Sequence, residues 1–101
     1  MEINIQSVGF KADAKLKEFT KSKITKLVHF SDNIVGAHVF FKVENTQNDE
    51  NKTVEIKLDI PGKDLFAKKT EKSFEEGVDN VVEALRKQLI KIKEKQISLH
   101  L

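Results

Sequence analysis

Residues 53–60 alternate without a break, with Val54, Ile56, Leu58 and Ile60 on one side and Glu55, Lys57 and Asp59 on the other. A strand patterned in this way has one face for a core and one for water, so its apolar face must be covered by another part of the chain. Other segments are one-sided in the same sense. Ile3 and Ile5 recur at period two within residues 2–8. Val35, Ala37, Val39, Phe41 and Val43 alternate with Gly36, His38, Phe40 and Lys42. Pro61-Gly62 joins a fixed φ to a residue tolerant of positive φ, as a type II turn requires, and Leu65 and Ala67 continue the inner face beyond it. These patterns predict strands β1 at 2–8, β2 at 35–43, β3 at 53–60 and β4 after the turn.

The cover is supplied by two helical stretches. From Asp13, a suitable N-cap, to about Phe30, the residues Leu16, Phe19, Ile24, Leu27 and Val28 recur at helical spacing, predicting α1. Ser73 with Glu76 fits a capping box, and Phe74, Val78, Val81, Val82, Leu85, Leu89 and Ile92 then fall within an arc of about 100°, predicting α2. Ser31-Asp32-Asn33 breaks the chain before β2, and residues 45–51, which hold no apolar side chain, read as a hairpin loop. The order predicts an α+β fold, β-α-β-β-β-α, with two helices packed on one face of a four-stranded sheet and the other face open. This is the arrangement of double-stranded RNA-binding domains, although unrelated functions share it. A length of 101 residues suits one core, expected over 1–95 with a short tail at 96–101.

The chain supplies few parts for catalysis. With no cysteine, disulfides, thiolate metal sites and thiol nucleophiles are excluded. His29, His38 and His100 lack zinc-motif spacing, the four glycines are too scattered for a phosphate-cradling loop, and no serine sits in an elbow motif. No cofactor, metal or enzymatic activity is expected. The alternating N-terminus does not resemble a signal peptide, and no span is long and apolar enough to cross a membrane, so a cytoplasmic protein with no membrane partner is expected.

Charge is informative through its distribution. The net charge is only +2, yet residues 11–26 hold six lysines against Asp13 and Glu18, and residues 86–95 hold five bases against Glu94. On the α2 wheel Lys87, Lys91 and Lys95 form one row beside the apolar stripe, while Arg86 and Lys93 lie along the opposite flank. Such a row rises about 6 Å per four residues, close to the phosphate spacing of an RNA strand. On α1, Lys15 and Lys26 take one flank and Lys17 and Lys21 the other, with Lys23 near the stripe, where it would snorkel. A solvated helix surface presents similar charge, so these residues alone leave the matter open.

Several short runs, in this order, resemble the family of ribosome hibernation promoting factors and protein Y. They are Asn4-Ile5, Leu16-Lys17-Glu18-Phe19, Lys26-Leu27, Phe30-Ser31-Asp32-Asn33-Ile34, Lys42-Val43-Glu44, and above all Asp79 leading through Val82-Glu83-Ala84-Leu85 to Arg86-Lys87-Gln88-Leu89-Ile90-Lys91-Ile92-Lys93. The resemblance covers nearly the whole chain. It implies a stress-response factor that binds the small ribosomal subunit, against its 16S-type ribosomal RNA and neighbouring ribosomal proteins. The site would be the channel of messenger and transfer RNA, with translation inhibited reversibly by occlusion. By matching position, Lys17, Lys23, Lys26, Lys87, Lys91 and Lys93 take over the family's RNA contacts; Arg86 is added on the charge argument alone. The chain departs from the family's pattern at Ser73 and Glu75-Glu76-Gly77, at Ala84 in place of a frequent lysine, and in a longer loop at 45–51. It resembles the short form, expected to be a monomer off the ribosome.

Two rivals remain. A general double-stranded RNA binder of the same topology would place bases at the N-terminus of α2, which here is acidic. A protein-interaction module would use the open sheet face, where Phe40 and Phe66 are the outward aromatic candidates.

Overall fold

The computed structural model describes the backbone of residues 1–99 and the side chains of residues 1–95. Strands β1 (Glu2–Val8), β2 (Gly36–Val43), β3 (Lys52–Ile60) and β4 (Lys63–Glu71) form one sheet in the order β1-β2-β3-β4. β1 runs parallel to β2 and the remaining pairs are antiparallel. The register puts Ile5 beside Val39, Val39 beside Ile56, and Ile56 beside Ala67, so the period-two patterns align into one apolar face. Ile60 pairs with Lys63 across Pro61-Gly62, and Gly62 takes φ of 78°, as a type II turn demands at that position.

Helices α1 (Ala14–Thr25) and α2 (Phe74–Leu99) cover that face; α2 lies against β3 and β4, and α1 against α2. Asp13 caps α1 by accepting from the Leu16 N–H at 2.8 Å, and Ser73 caps α2 by accepting from the Glu76 N–H at 3.1 Å. Phe41, Val54, Ile56, Leu58, Val81 and Leu85 are fully buried where sheet and α2 meet. Each such side chain contributes about 1.5–3 kcal/mol relative to exposure. Phe74 closes one end of this layer, stacked on Phe10 at 4.7 Å and meeting the edge of Phe41 at 5.2 Å.

Some details differ from the sequence expectation, among them Val43 at the end of β2, which is 39% exposed rather than part of the inner face. The α1 stripe is completed by Thr20, fully buried because its hydroxyl donates to the Leu16 carbonyl at 2.7 Å. After Thr25 the chain tightens into a 3-10 turn, Lys26–His29, which turns Val28 outward to 43% exposure. β2 begins at Gly36, leaving the Val35 side chain exposed although its backbone bonds to Asp59 and Glu2. Helix α2 continues to Leu99, four residues into the stretch read as a tail; His100 lies outside the described residues.

Candidate nucleic-acid interface

The C-terminal half of α2 presents its bases on two flanks, as its wheel predicts. Gln88 ties one flank to the sheet by donating to the Phe66 carbonyl at 3.0 Å. On that side Lys91 and Lys95 border a groove shared with Lys63 and Asp64 of β4. On the other side Lys93 borders a second groove of about 600 Å³, walled by residues 28–33, the 60–63 turn, Leu89 and Ile92. Lys63 lines both grooves. Helical periodicity could not have found it, because it belongs to a strand; its place just after the Pro61-Gly62 turn was the available signal.

Lys23 and Arg86 are held by their own protein. Lys23 runs past the Phe19 ring, 5.4 Å from its centroid, to reach Asp79 of α2 at 3.2 Å, so its stem snorkels as expected and its charge ends in a bridge between helices. Arg86 makes a two-pronged pair with Glu83, its Nε donating to Oε2 at 2.8 Å, and its guanidinium lies 5.6 Å from the Phe30 ring. The hydrogen bond from Arg86, aided by nearby positive charge, holds the Glu83 carboxyl below its ordinary value; the same bond raises Arg86. Lys17, Lys26, Lys87, Lys91 and Lys93 are exposed and have no acidic partner within ion-pair distance among the described residues. The seven sequence candidates therefore divide into five available lysines and two bases already partly neutralised. Which α2 acid meets Lys23 depends on how the helices cross, which the linear sequence does not show.

These groups supply positive charge on α1, on the turn that follows it and on both flanks of α2, rather than a pocket for chemistry. No cluster of three or more metal-ligating side chains occurs among the described residues. No described helix is long and apolar enough to cross a membrane. The opposite sheet face carries the other aromatic candidates, with Phe40 41% and Phe66 53% exposed.

A family model described as Sigma 54 modulation protein / S30EA ribosomal protein matches residues 3–97. The ribosome hibernation promoting factor of Pseudomonas putida is 30% identical over 99 residues, spanning 98% of this chain and 93% of that protein. That of Escherichia coli is 28% identical over 100 residues, spanning 94% of this chain and 96% of that one. Among solved structures, a ribosomal subunit interface protein from Coxiella burnetii superposes with a TM-score of 0.82 at 26% identity, covering 93% of this chain and 99% of the other. The N-terminal domain of Thermus thermophilus Protein Y superposes with a TM-score of 0.80 at 17% identity, over 91% and 99%, a likeness of fold.

Proposed function

The chain belongs to the Sigma 54 modulation protein / S30EA ribosomal protein family, and from that premise we propose that it binds ribosomal RNA of the small subunit, in the channel of messenger and transfer RNA, and inhibits translation reversibly by occupying it. The family is one of ribosome hibernation and subunit-interface factors, so a ribosomal partner is given. The observation that carries the finer reading is that five of the candidate lysines, Lys17, Lys26, Lys87, Lys91 and Lys93, are exposed and have no acidic partner within ion-pair distance among the described residues. Two flanks of lysine are suited to phosphates, which fix orientation without reading sequence. Lys63 joins both flanks and extends the basic surface onto the sheet. A general duplex-RNA binder is disfavoured because Glu75, Glu76 and Asp79 make the start of α2 acidic.

Inhibition by occupancy leaves no covalent change, and one copy per small subunit suffices. A purified translation system, titrated with the protein with and without pre-formed initiation complexes, tests this. Binding and inhibition should share one midpoint, and pre-bound initiator transfer RNA with messenger should shift it upward in proportion to its occupancy. Cleaved ribosomal RNA, inhibition by substoichiometric protein, or indifference to pre-bound transfer RNA would overturn the reading.

A further inference from the structure

We propose that the open sheet face is a second docking surface, and that it takes an arginine-bearing basic segment of a protein, the guanidinium seated between Phe40 and Phe66 against Glu55. Phe40 on β2 and Phe66 on β4 stand two strands and two residues apart, about 12 Å, with Phe40 opposite Glu55 and Phe66 opposite Lys57 on the intervening β3. Between them lies a groove of about 300 Å³, lined also by His38, Glu55 and Lys57. The two half-exposed rings, on a face that no helix covers, offer apolar area to a partner that fits the groove between them.

The charges in this groove select among occupants. Lys57 has Asp59 at 3.7 Å and Asp64 at 3.9 Å, and His38 bonds to Asp59 at 2.7 Å. Glu55, half-buried between Phe40 of β2 and Lys68 of β4, makes no ion pair within 4.0 Å among the described residues, so its carboxylate is free to accept from an incoming cation. By strand alternation the whole outer face sets four carboxylates, Glu2, Glu55, Asp59 and Asp64, against three lysines. A phosphate strand would meet net repulsion there. A purely apolar partner would bury the Glu55 charge unpaired, and a second copy meeting this patch about a two-fold would bring the same acids together. An arginine satisfies all three features at once, because its plane stacks on phenyl faces while its edge forks onto a carboxylate. This surface lies opposite the lysines of the helix side, so it is independent of the RNA reading.

The test is fluorescence anisotropy of a labelled twelve-residue peptide alternating arginine with glycine and serine, with matched lysine and citrulline peptides. The arginine peptide should bind best, the lysine peptide several-fold weaker, and the citrulline peptide about tenfold weaker. Glu55→Gln and Phe66→Ala should each weaken the arginine peptide about tenfold, a loss of about 1.4 kcal/mol. Lys87→Glu with Lys91→Glu should not weaken it. The Glu55 and Phe66 side chains both lie on the outer sheet face away from the core, so the fold should stay intact, and Phe66→Ala should still bind small subunits, which separates this proposal from the RNA reading. Peptide affinity unchanged by Glu55→Gln and Phe66→Ala would overturn it. So would an oligouridine strand that binds at Phe40 and Phe66 in place of the peptide, or self-association abolished by Phe66→Ala.

Discussion

Gly77 stands where a methyl group has no room: a Cβ there would lie 2.6 Å from Cγ2 of Val54. Glycine in a helix costs about 1 kcal/mol relative to alanine, and here the absence of a side chain lets α2 approach β3 closely. Gly77→Ala gains helix propensity but overpacks the sheet, which typically costs about 1–3 kcal/mol, so the expected net loss is up to about 2 kcal/mol. Thermal unfolding should show a midpoint lower by several degrees. Val54→Ala alone leaves a cavity, but combined with Gly77→Ala it should cost less than the sum of the two, and strict additivity in the double-mutant cycle would count against this packing. On the other sheet face, Asp59 is held below its ordinary value of 3.8, chiefly by its hydrogen bond with His38 and then by the charges of His38 and Lys57. The acceptor is a carboxylate, so the ring nitrogen must donate. A depressed carboxyl favours the folded state when ionised. Its contribution is complete above the ordinary value and fades as pH falls through the lower one. Thermal midpoints of the wild type and Asp59→Asn should therefore differ at pH 5 and converge toward pH 2; a gap that persists at pH 2 would show that the substitution acts through something other than this charge.

Among the elements, those whose pattern depends only on their own residues were legible. The alternation of residues 53–60 and the α2 stripe both appear in the core, with Val54, Ile56, Leu58, Val78, Val81, Leu85 and Leu89 buried. What escaped depended on a neighbour. The five-residue gap between Phe19 and Ile24 is filled by Thr20, a polar residue that enters the core only because Leu16 accepts its hydroxyl. The end of α1 tightens into the 3-10 turn, so Val28 leaves the stripe that regular spacing would assign it. The candidate interface divides in the same way: the lysine row on α2 follows from spacing, whereas the pairing of Lys23 with Asp79 follows from the crossing of two helices. This pairing has a measurable consequence. Lys23→Ala should reduce ribosome affinity less than Lys91→Ala, because Lys23 brings a charge already shared with Asp79. Reversing Lys87 and Lys91 to Glu should abolish binding to small subunits while the thermal midpoint moves little, since exposed unpaired charges contribute little stability. Reversing Lys42 and Lys68, on the outer sheet face, matches the change in net charge; equal loss of binding there would show that net charge rather than the helix side governs association.

For the whole molecule, a net charge of +2 conceals a separation into a basic helix side and an outer sheet face with four carboxylates against three lysines. Total charge would predict feeble attraction to RNA, but counterions are released by the charges that touch phosphate, so the local count is what salt reports. If the five candidate lysines with no ion pair among the described residues each neutralise one phosphate, affinity for small subunits should fall roughly 500-fold between 50 and 200 mM monovalent salt, using the duplex coefficient of about 0.9 per contact. If Lys23 and Arg86 also exchange their carboxylate partners for phosphates, seven contacts give a fall of roughly 6,000-fold. The slope thus distinguishes bases that remain in their internal pairs from bases that are handed over on binding. Asp79→Asn sharpens the distinction, because it releases Lys23 without removing it. Should the wild type bind through five lysines, the substitution steepens the slope by about one contact; should it already use seven, the slope stays put and affinity rises only by the cost of breaking the Lys23 pair. Sedimentation of the protein with purified small subunits across a salt series measures both, and an affinity nearly flat over that range would remove these lysines as the basis of docking.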